Sequence, residues 1–237
     1  MPLKISNYTD GILHDVSFEV ARGENLIILG ENGVGKTTLA KVLCGLIPSD
    51  TVNIDGVNPS NTDGKTRAKH INYIPAKLEV FDSYLSVKEL LTLAHYGVVG
   101  TPHPTSIDAV LEKLHIAHLK HAPCQRLSAG ESQLVLTASA LLHGATYTIF
   151  DEPTANLDPR RMKMLFSLLK SDTTLPSKLI ITHNLDLAYR LGFDLLYLQE
   201  GRVAFHGSSE DFFDQRHLDA LYGGSVQRVH DHVVVAL

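Results

Sequence analysis

Apolar positions along this chain fall into two rhythms. Unbroken short runs, LIILG at 26–30, INYI at 71–74, YTIF at 147–150, LIIT at 179–182 and DLLYL at 194–198, read as strands buried on both faces. Residues 3–8 and 15–20 (DVSFEV) read as further short strands, with ARGE at 21–24 as a turn. A three-to-four-residue spacing instead predicts helices over GKTTLAKVLCGL (35–46), SVKELLTLAHY (86–96), SIDAVLEKLHIAHLK (106–120) and GESQLVLTASALLH (130–143). Strands alternating with helices imply an α/β fold with a largely parallel sheet. Residues 78–145 carry helical patterns and no strand pattern, so a helical subdomain is expected to interrupt a core made of 1–77 and 146–237. GTPHPTS at 100–106 is a Pro-marked turn within it.

Composition narrows this picture. A chain of 237 residues with 44% apolar and 20% charged side chains suits one compact globular domain. The formal charge of −5, with no basic block against it, argues against nucleic acid as a partner. Cys44 and Cys124 are too few for a disulfide framework and fit a reducing compartment. The opening MPLKISNYTD lacks the apolar run of a secretory signal. No stretch approaches the roughly 18 apolar residues of a membrane span, so a role at a membrane needs another chain.

The chemistry begins after the first buried run. GENGVGKT at 30–37 (Gly30, Glu31, Asn32, Gly33, Val34, Gly35, Lys36, Thr37), followed by Thr38, matches the phosphate-binding pattern G-x-x-x-x-G-K-[ST] between a strand and a helix. Its glycines let backbone N–H groups turn inward around phosphate oxygens, and the helix N-terminus adds a favourable dipole. Lys36 would reach the β- and γ-phosphates and the Thr37 hydroxyl would bind Mg²⁺, so the chain is expected to bind a nucleoside triphosphate. TYTIFDEP at 146–153 is an apolar strand ending in two carboxylates: Asp151 is placed to hold Mg²⁺, and Glu152 to act as general base on the attacking water. Parallel sheets bind ligands at the carboxyl ends of their strands, and both motifs sit there.

Between them lies RLSAGESQ at 126–133, and with it the chain resembles the ATP-binding cassette (ABC) ATPases, whose LSGGQ-like signature occupies this place. ANLD at 155–158 is similar to the family's D-loop, the histidine of IITHN (His183) to its switch histidine, and Tyr8 to the aromatic that stacks on adenine. The resemblance covers nearly the whole chain. It implies a P-loop NTPase (RecA-like) core with an N-terminal antiparallel β element, and ATP with Mg²⁺ as ligands. It also implies a homodimer formed on ATP binding, in which each ATP lies between one chain's phosphate loop and the other's signature. Ser128, Ala129, Gly130 and Glu131 would then face the partner's γ-phosphate, His183 would bond the γ-phosphate and orient the water with Glu152, and Asp158 would link the two sites.

A bare ATPase chain of this kind resembles the subunit that works at the cytoplasmic face of a membrane through separate permease subunits. The tail, EGRVAFHGSSEDFF (200–213), HLDALYGGSVQRV (217–229) and a closing VVVAL, resembles subunits that power iron-siderophore, haem or cobalamin importers. Zinc and manganese importers have similar ATPases. A soluble ATPase of an assembly machine, of the iron–sulfur scaffold type, and a module that closes on ATP without hydrolysing it remain alternatives. One departure stands out. Where the family runs from this strand into a glutamine that touches Mg²⁺ or water, INYIPAKLEV (71–80) has Ala76. The reading is a working ATPase with reduced Mg²⁺ affinity or looser coupling, whose loop still docks a partner through Leu78, Val80 and Phe81. His115, His118, His121 and Cys124 recur every third residue but read as a solvated helix edge. His230 and His232 read as exposed on one strand face.

Overall fold

The computed structural model describes residues 2–96 and 106–235. Its central sheet runs in the order β5 (Ile71–Ile74), β6 (Tyr147–Asp151), β7 (Ser177–Thr182), β3 (Leu26–Gly30), β8 (Asp194–Gln199), β9 (Arg202–Gly207). The first five strands are parallel, and β9 returns antiparallel on β8. The unbroken apolar runs have a direct cause: both faces of β3, β6 and β7 are covered. Ile27, Leu29, Phe150, Ile180 and Leu195 enter a core beneath helices, whereas Leu26, Ile28, Ile149, Leu179 and Leu196 enter a second core on the opposite face.

The second core is closed by α1 (Lys36–Leu43) and by a three-stranded antiparallel sheet: β2 (Leu13–Val20), β1 (Leu3–Asp10) and β4 (Val52–Ile54). One side chain ties this sheet to the central one. Tyr147 of β6 is fully buried; its hydroxyl accepts from the Leu3 N–H and donates to the Val20 carbonyl, both at 3.1 Å.

Among the described residues, the chain between Ile74 and Tyr147 forms helices and no strand: α3 (Val87–Tyr96), α4 (Ile107–Lys113), α5 (Ala129–His143) and two single 3₁₀ turns. The helix expected over 106–120 stops early. His115 adopts the left-handed conformation (φ 56°), and the Ile116 N–H bonds the Leu111 carbonyl while the His115 N–H bonds that of Glu112. This is a Schellman reversal with histidine in the usual glycine place. Leu114, Ile116 and Leu119 stay buried through it, which is why the apolar spacing mimics a continuous helix. His115, His118 and His121 are therefore exposed around a reversal rather than along one helix, and Cys124 is buried. The turn expected at 100–106 lies, except for Ser106, outside the described residues.

After β6, the amphipathic α6 (Pro159–Ser171) buries Leu165, Leu168 and Leu169, and α7 (Leu185–Leu191) follows β7. The tail forms α8 (Ser209–Phe212), α9 (Gln215–Tyr222) and a hairpin of β10 (Val226–Val229) and β11 (His232–Val235). His230 lies in the hairpin turn with φ 54°, so it does not share a strand face with His232, whose Nδ1 lies 3.0 Å from Asp186 Oδ1. Short α2 (Gly64–His70) buries no side chain and is held by its Asp63 cap, so no apolar period announces it.

Tyr147→Phe should lower the stability of the chain by about 1–3 kcal/mol in chemical denaturation, because the Leu3 N–H and Val20 carbonyl lose their buried partner.

Candidate active site

Three adjacent parallel strands end at one level. Leu29 pairs with Thr182 and Asp151 with Ile181, so the ends of β3, β6 and β7 form a single edge. Beyond β3 the chain turns through Gly33 (φ 82°) and Gly35 (φ 104°), and Gly35 caps the start of α1. A Cβ at Gly35 would stand 2.7 Å from Leu13, so left-handed backbone and lack of space both require glycine there. Lys36 folds back under its own loop and donates from Nζ to the carbonyls of Gly30 (2.7 Å) and Glu31 (2.8 Å). Burial pulls its ammonium below the ordinary lysine range, opposed by the carboxylates of Glu152, Asp151 and Glu31.

Asp151, 3% exposed, accepts a hydrogen bond on Oδ2 from the Thr37 hydroxyl at 2.8 Å and a second, on the same oxygen, from the Tyr73 phenol at 2.9 Å. Glu152 follows in the left-handed region (φ 47°), held by its N–H on the Ile181 carbonyl and by Ala155 N–H on its own. Its carboxylate lies 2.7 Å from His183 Nδ1 and accepts from the Thr182 hydroxyl at 3.3 Å. A carboxylate oriented by an imidazole and a hydroxyl, beside a glycine-rich turn and one lysine, suits attack by water on a bound phosphate chain.

These groups surround a recess of about 340 Å³ lined by Ile12, Asn32, Gly33, Gly35, Lys36, Thr37, Thr38, Asp151 and Glu152. Gly30, Glu31 and Val34 do not line it; Gly30 packs under Leu198 and Val34 is buried in the second core. Tyr8, expected beside the base, is only 5% exposed: its ring lies within that core, with the hydroxyl 3.5 Å from Asp10. Ile12, 45% exposed, is the apolar side chain at the recess and escaped the sequence reading, as did Tyr73 and Thr182. For Tyr73 the alternation of β5 carried a signal, but only the strand pairing shows which carboxylate it meets.

Ser128, Ala129, Gly130 and Glu131 form the first turn of α5 and its cap, away from the recess of their own chain. Ser128 and Glu131 make a capping box: the Glu131 N–H donates to Ser128 Oγ, while the Ser128 hydroxyl (2.7 Å) and N–H (2.9 Å) donate to the Glu131 carboxylate. Those bonds hold the Glu131 carboxyl below its usual range. Ser128 and Ala129 are exposed, but Gly130 is covered: a Cβ there would meet Arg161 at 2.9 Å and the Asn156 carbonyl at 3.1 Å. Asp158 caps α6 by accepting from the Arg160 and Arg161 N–H groups. The signature turn and the D-loop segment thus pack on each other within one chain.

Beyond β5, Ala76 lines a groove of about 650 Å³ with Lys77, Phe81, Gln125 and Gln133. Phe81 is 94% exposed and Tyr84 90%, whereas Leu78 and Val80 are half-buried against the helical core, less free than expected. Gln125 pins this loop by donating to the carbonyls of Val80 (3.1 Å) and Phe81 (3.2 Å).

Comparison with known proteins fits this geometry. Residues 13–155 match the family model described as ABC transporter. The zinc import ATP-binding protein ZnuC of Alcanivorax borkumensis is 33% identical over 218 residues, 90% of this chain and 79% of that protein. The glutamate/aspartate import ATP-binding protein GltL of Escherichia coli K12 is 30% identical over 212 residues, 86% of this chain and 87% of its own. Among solved structures, an inward-facing metal-chelate type ABC transporter superposes with a TM-score of 0.76 at 21% identity, covering 100% of this chain and 98% of that one; at this identity the likeness concerns the fold.

Glu152→Gln should keep nucleotide affinity within about twofold and lower phosphate release by about 100-fold or more; turnover at the wild-type rate would remove Glu152 from the role of base. Lys36→Ala should abolish stable nucleotide binding in a fluorescent-nucleotide titration, and unchanged affinity would count against the phosphate-loop assignment.

Proposed function

Because this chain belongs to the ABC transporter family, we propose that it is the ATP-hydrolysing subunit of an importer, driving solute uptake through separate permease subunits. The observation that carries the reading is the convergence of Lys36, Thr37, Asp151, Glu152 and His183 on one sheet edge. The loop amides and Lys36 hold the phosphates of ATP, and Glu152 takes the proton of the attacking water with its carboxylate oriented by His183 and Thr182. Thr37 and Asp151 suit Mg²⁺: a hydroxyl and a carboxylate, both hard oxygen donors, lie within 2.8 Å of each other. When bound there, Mg²⁺ supplies charge neutralisation on the phosphates.

The exposed Ser128 and Ala129, at the N-terminus of a 15-residue helix, are placed to meet an anion brought by a second copy of the chain. Two copies arranged head to tail would close on two ATP molecules. Loss of the γ-phosphate removes the contacts that favour closure, and this difference between ATP and ADP states is what performs work on the permease.

The loop from Ala76 to Tyr84 is the surface proposed to receive the permease, with Phe81 and Tyr84 as its anchors. Among the described residues no helix is long and apolar enough to cross a membrane, so attachment at the cytoplasmic face comes through that partner. For the cargo, the tail favours a metal chelate such as an iron-siderophore, haem or cobalamin. The zinc and glutamate/aspartate relatives are imported-solute ATPases of two other kinds, so the tail alone carries this choice.

Purified from its native membrane in mild detergent, the chain should bring down a many-spanned permease; recovery with a soluble scaffold protein in its place would overturn the transport reading. Phe81→Asp should reduce permease recovery at least about tenfold with ATP affinity unchanged, and undiminished recovery would remove the loop from the interface.

A further inference from the structure

Two elements reach the Asp151 carboxylate. From α1 the Thr37 hydroxyl donates to Oδ2 at 2.8 Å, and from β5 the Tyr73 phenol donates to the same oxygen at 2.9 Å. Strand register produces the second contact. Tyr73 stands opposite Ile149, two residues before Asp151, so alternation along β6 puts Asp151 on the sheet face that Tyr73 shares. The phenol is half-buried against the second core.

Three residues further on, past the end of β5, Ala76 lines the separate groove with Lys77, Phe81, Gln125 and Gln133. Tyr73 is the β5 side chain whose hydrogen bond reaches Asp151. A carboxylate with one donor on Oδ2 can turn about its χ angles; with donors from two separate elements it is held by both.

We propose that Tyr73 is a positioning residue of the ATP site: its phenol, reaching from β5, fixes the Asp151 carboxylate against Thr37. The inference rests on the reading of Thr37 and Asp151 as the Mg²⁺-holding pair. It places the cost of losing Tyr73 on the metal-dependent part of nucleotide binding, and leaves the loop amides and Lys36 untouched.

Tyr73→Phe keeps the ring and deletes the donor. With the full-length chain and a fluorescent ATP analogue, affinity in EDTA should stay within about twofold of wild type, while the Mg²⁺ concentration for half-maximal tightening should rise about tenfold, as for loss of one hydrogen bond to a charged group. An unchanged Mg²⁺ half-saturation in Tyr73→Phe, or an equal loss of affinity with and without Mg²⁺, would overturn the positioning role. Asp151→Asn separates the two readings: if it leaves the Mg²⁺ dependence intact, the metal assignment itself fails, whereas its loss beside an unaffected Tyr73→Phe removes Tyr73 alone.

Discussion

Thr37 lies on α1, the helix that follows β3, and Asp151 ends β6, two strands that are not neighbours. β7 lies between β3 and β6, so the 2.8 Å hydrogen bond joining them forms only because three strands keep one register and end together. A slip of one residue in either pairing would move a whole strand's side chains to the opposite face and exchange the two cores. The same register puts Thr182 and His183 beside Glu152. Dense burial of Ile28, Ile149, Ile181 and Leu196 on one face, and of Ile27, Phe150, Ile180 and Leu195 on the other, is thus what aligns the polar edge.

The parts of this site that are contiguous in the chain could be read from the chain. GENGVGKT and FDEP carry their own backbone context, a buried strand running into a turn, which brings Asn32, Gly33, Gly35, Lys36, Thr37, Asp151 and Glu152 to the recess but not Gly30, Glu31 or Val34. The sheet was legible for the same reason, since continuous apolar runs are the mark of strands covered on both faces. What could not be read depends on contacts between distant segments. Tyr73 looks like an ordinary strand aromatic until β5 is paired with β6, and Ile12 reaches the recess because the β1–β2 turn folds over the phosphate loop. Motif position likewise does not reveal how deeply Tyr8 is buried in the second core. Helix α4 was overextended because the reversal at His115 preserves apolar spacing, and spacing alone does not register a change of backbone handedness.

β5 has an unusual position in this arrangement. An edge strand of four residues, it carries Tyr73 to the Asp151 carboxylate and leads within a few residues to Phe81 and Tyr84 at the surface. Gln125, from the segment leading into the signature turn, holds the carbonyls of that same loop. The recess, the signature segment and the aromatic loop are therefore joined by one short stretch of backbone and one amide side chain, a physical connection between sites otherwise held on different layers.

Glu152 illustrates a tension between conformation and chemistry. Its backbone lies at φ 47°, a region that glycine enters freely and that a long side chain enters at a cost of about 1–3 kcal/mol. The surrounding sheet edge absorbs that cost for as long as the carboxylate has work to do. In a lineage released from the need to hydrolyse ATP, drift toward glycine or asparagine at this position would be favoured by folding itself. On the proposed role of Glu152 as base, the fold would then gain stability at the step where it lost catalysis, and the identity of this one residue would record whether selection on turnover holds.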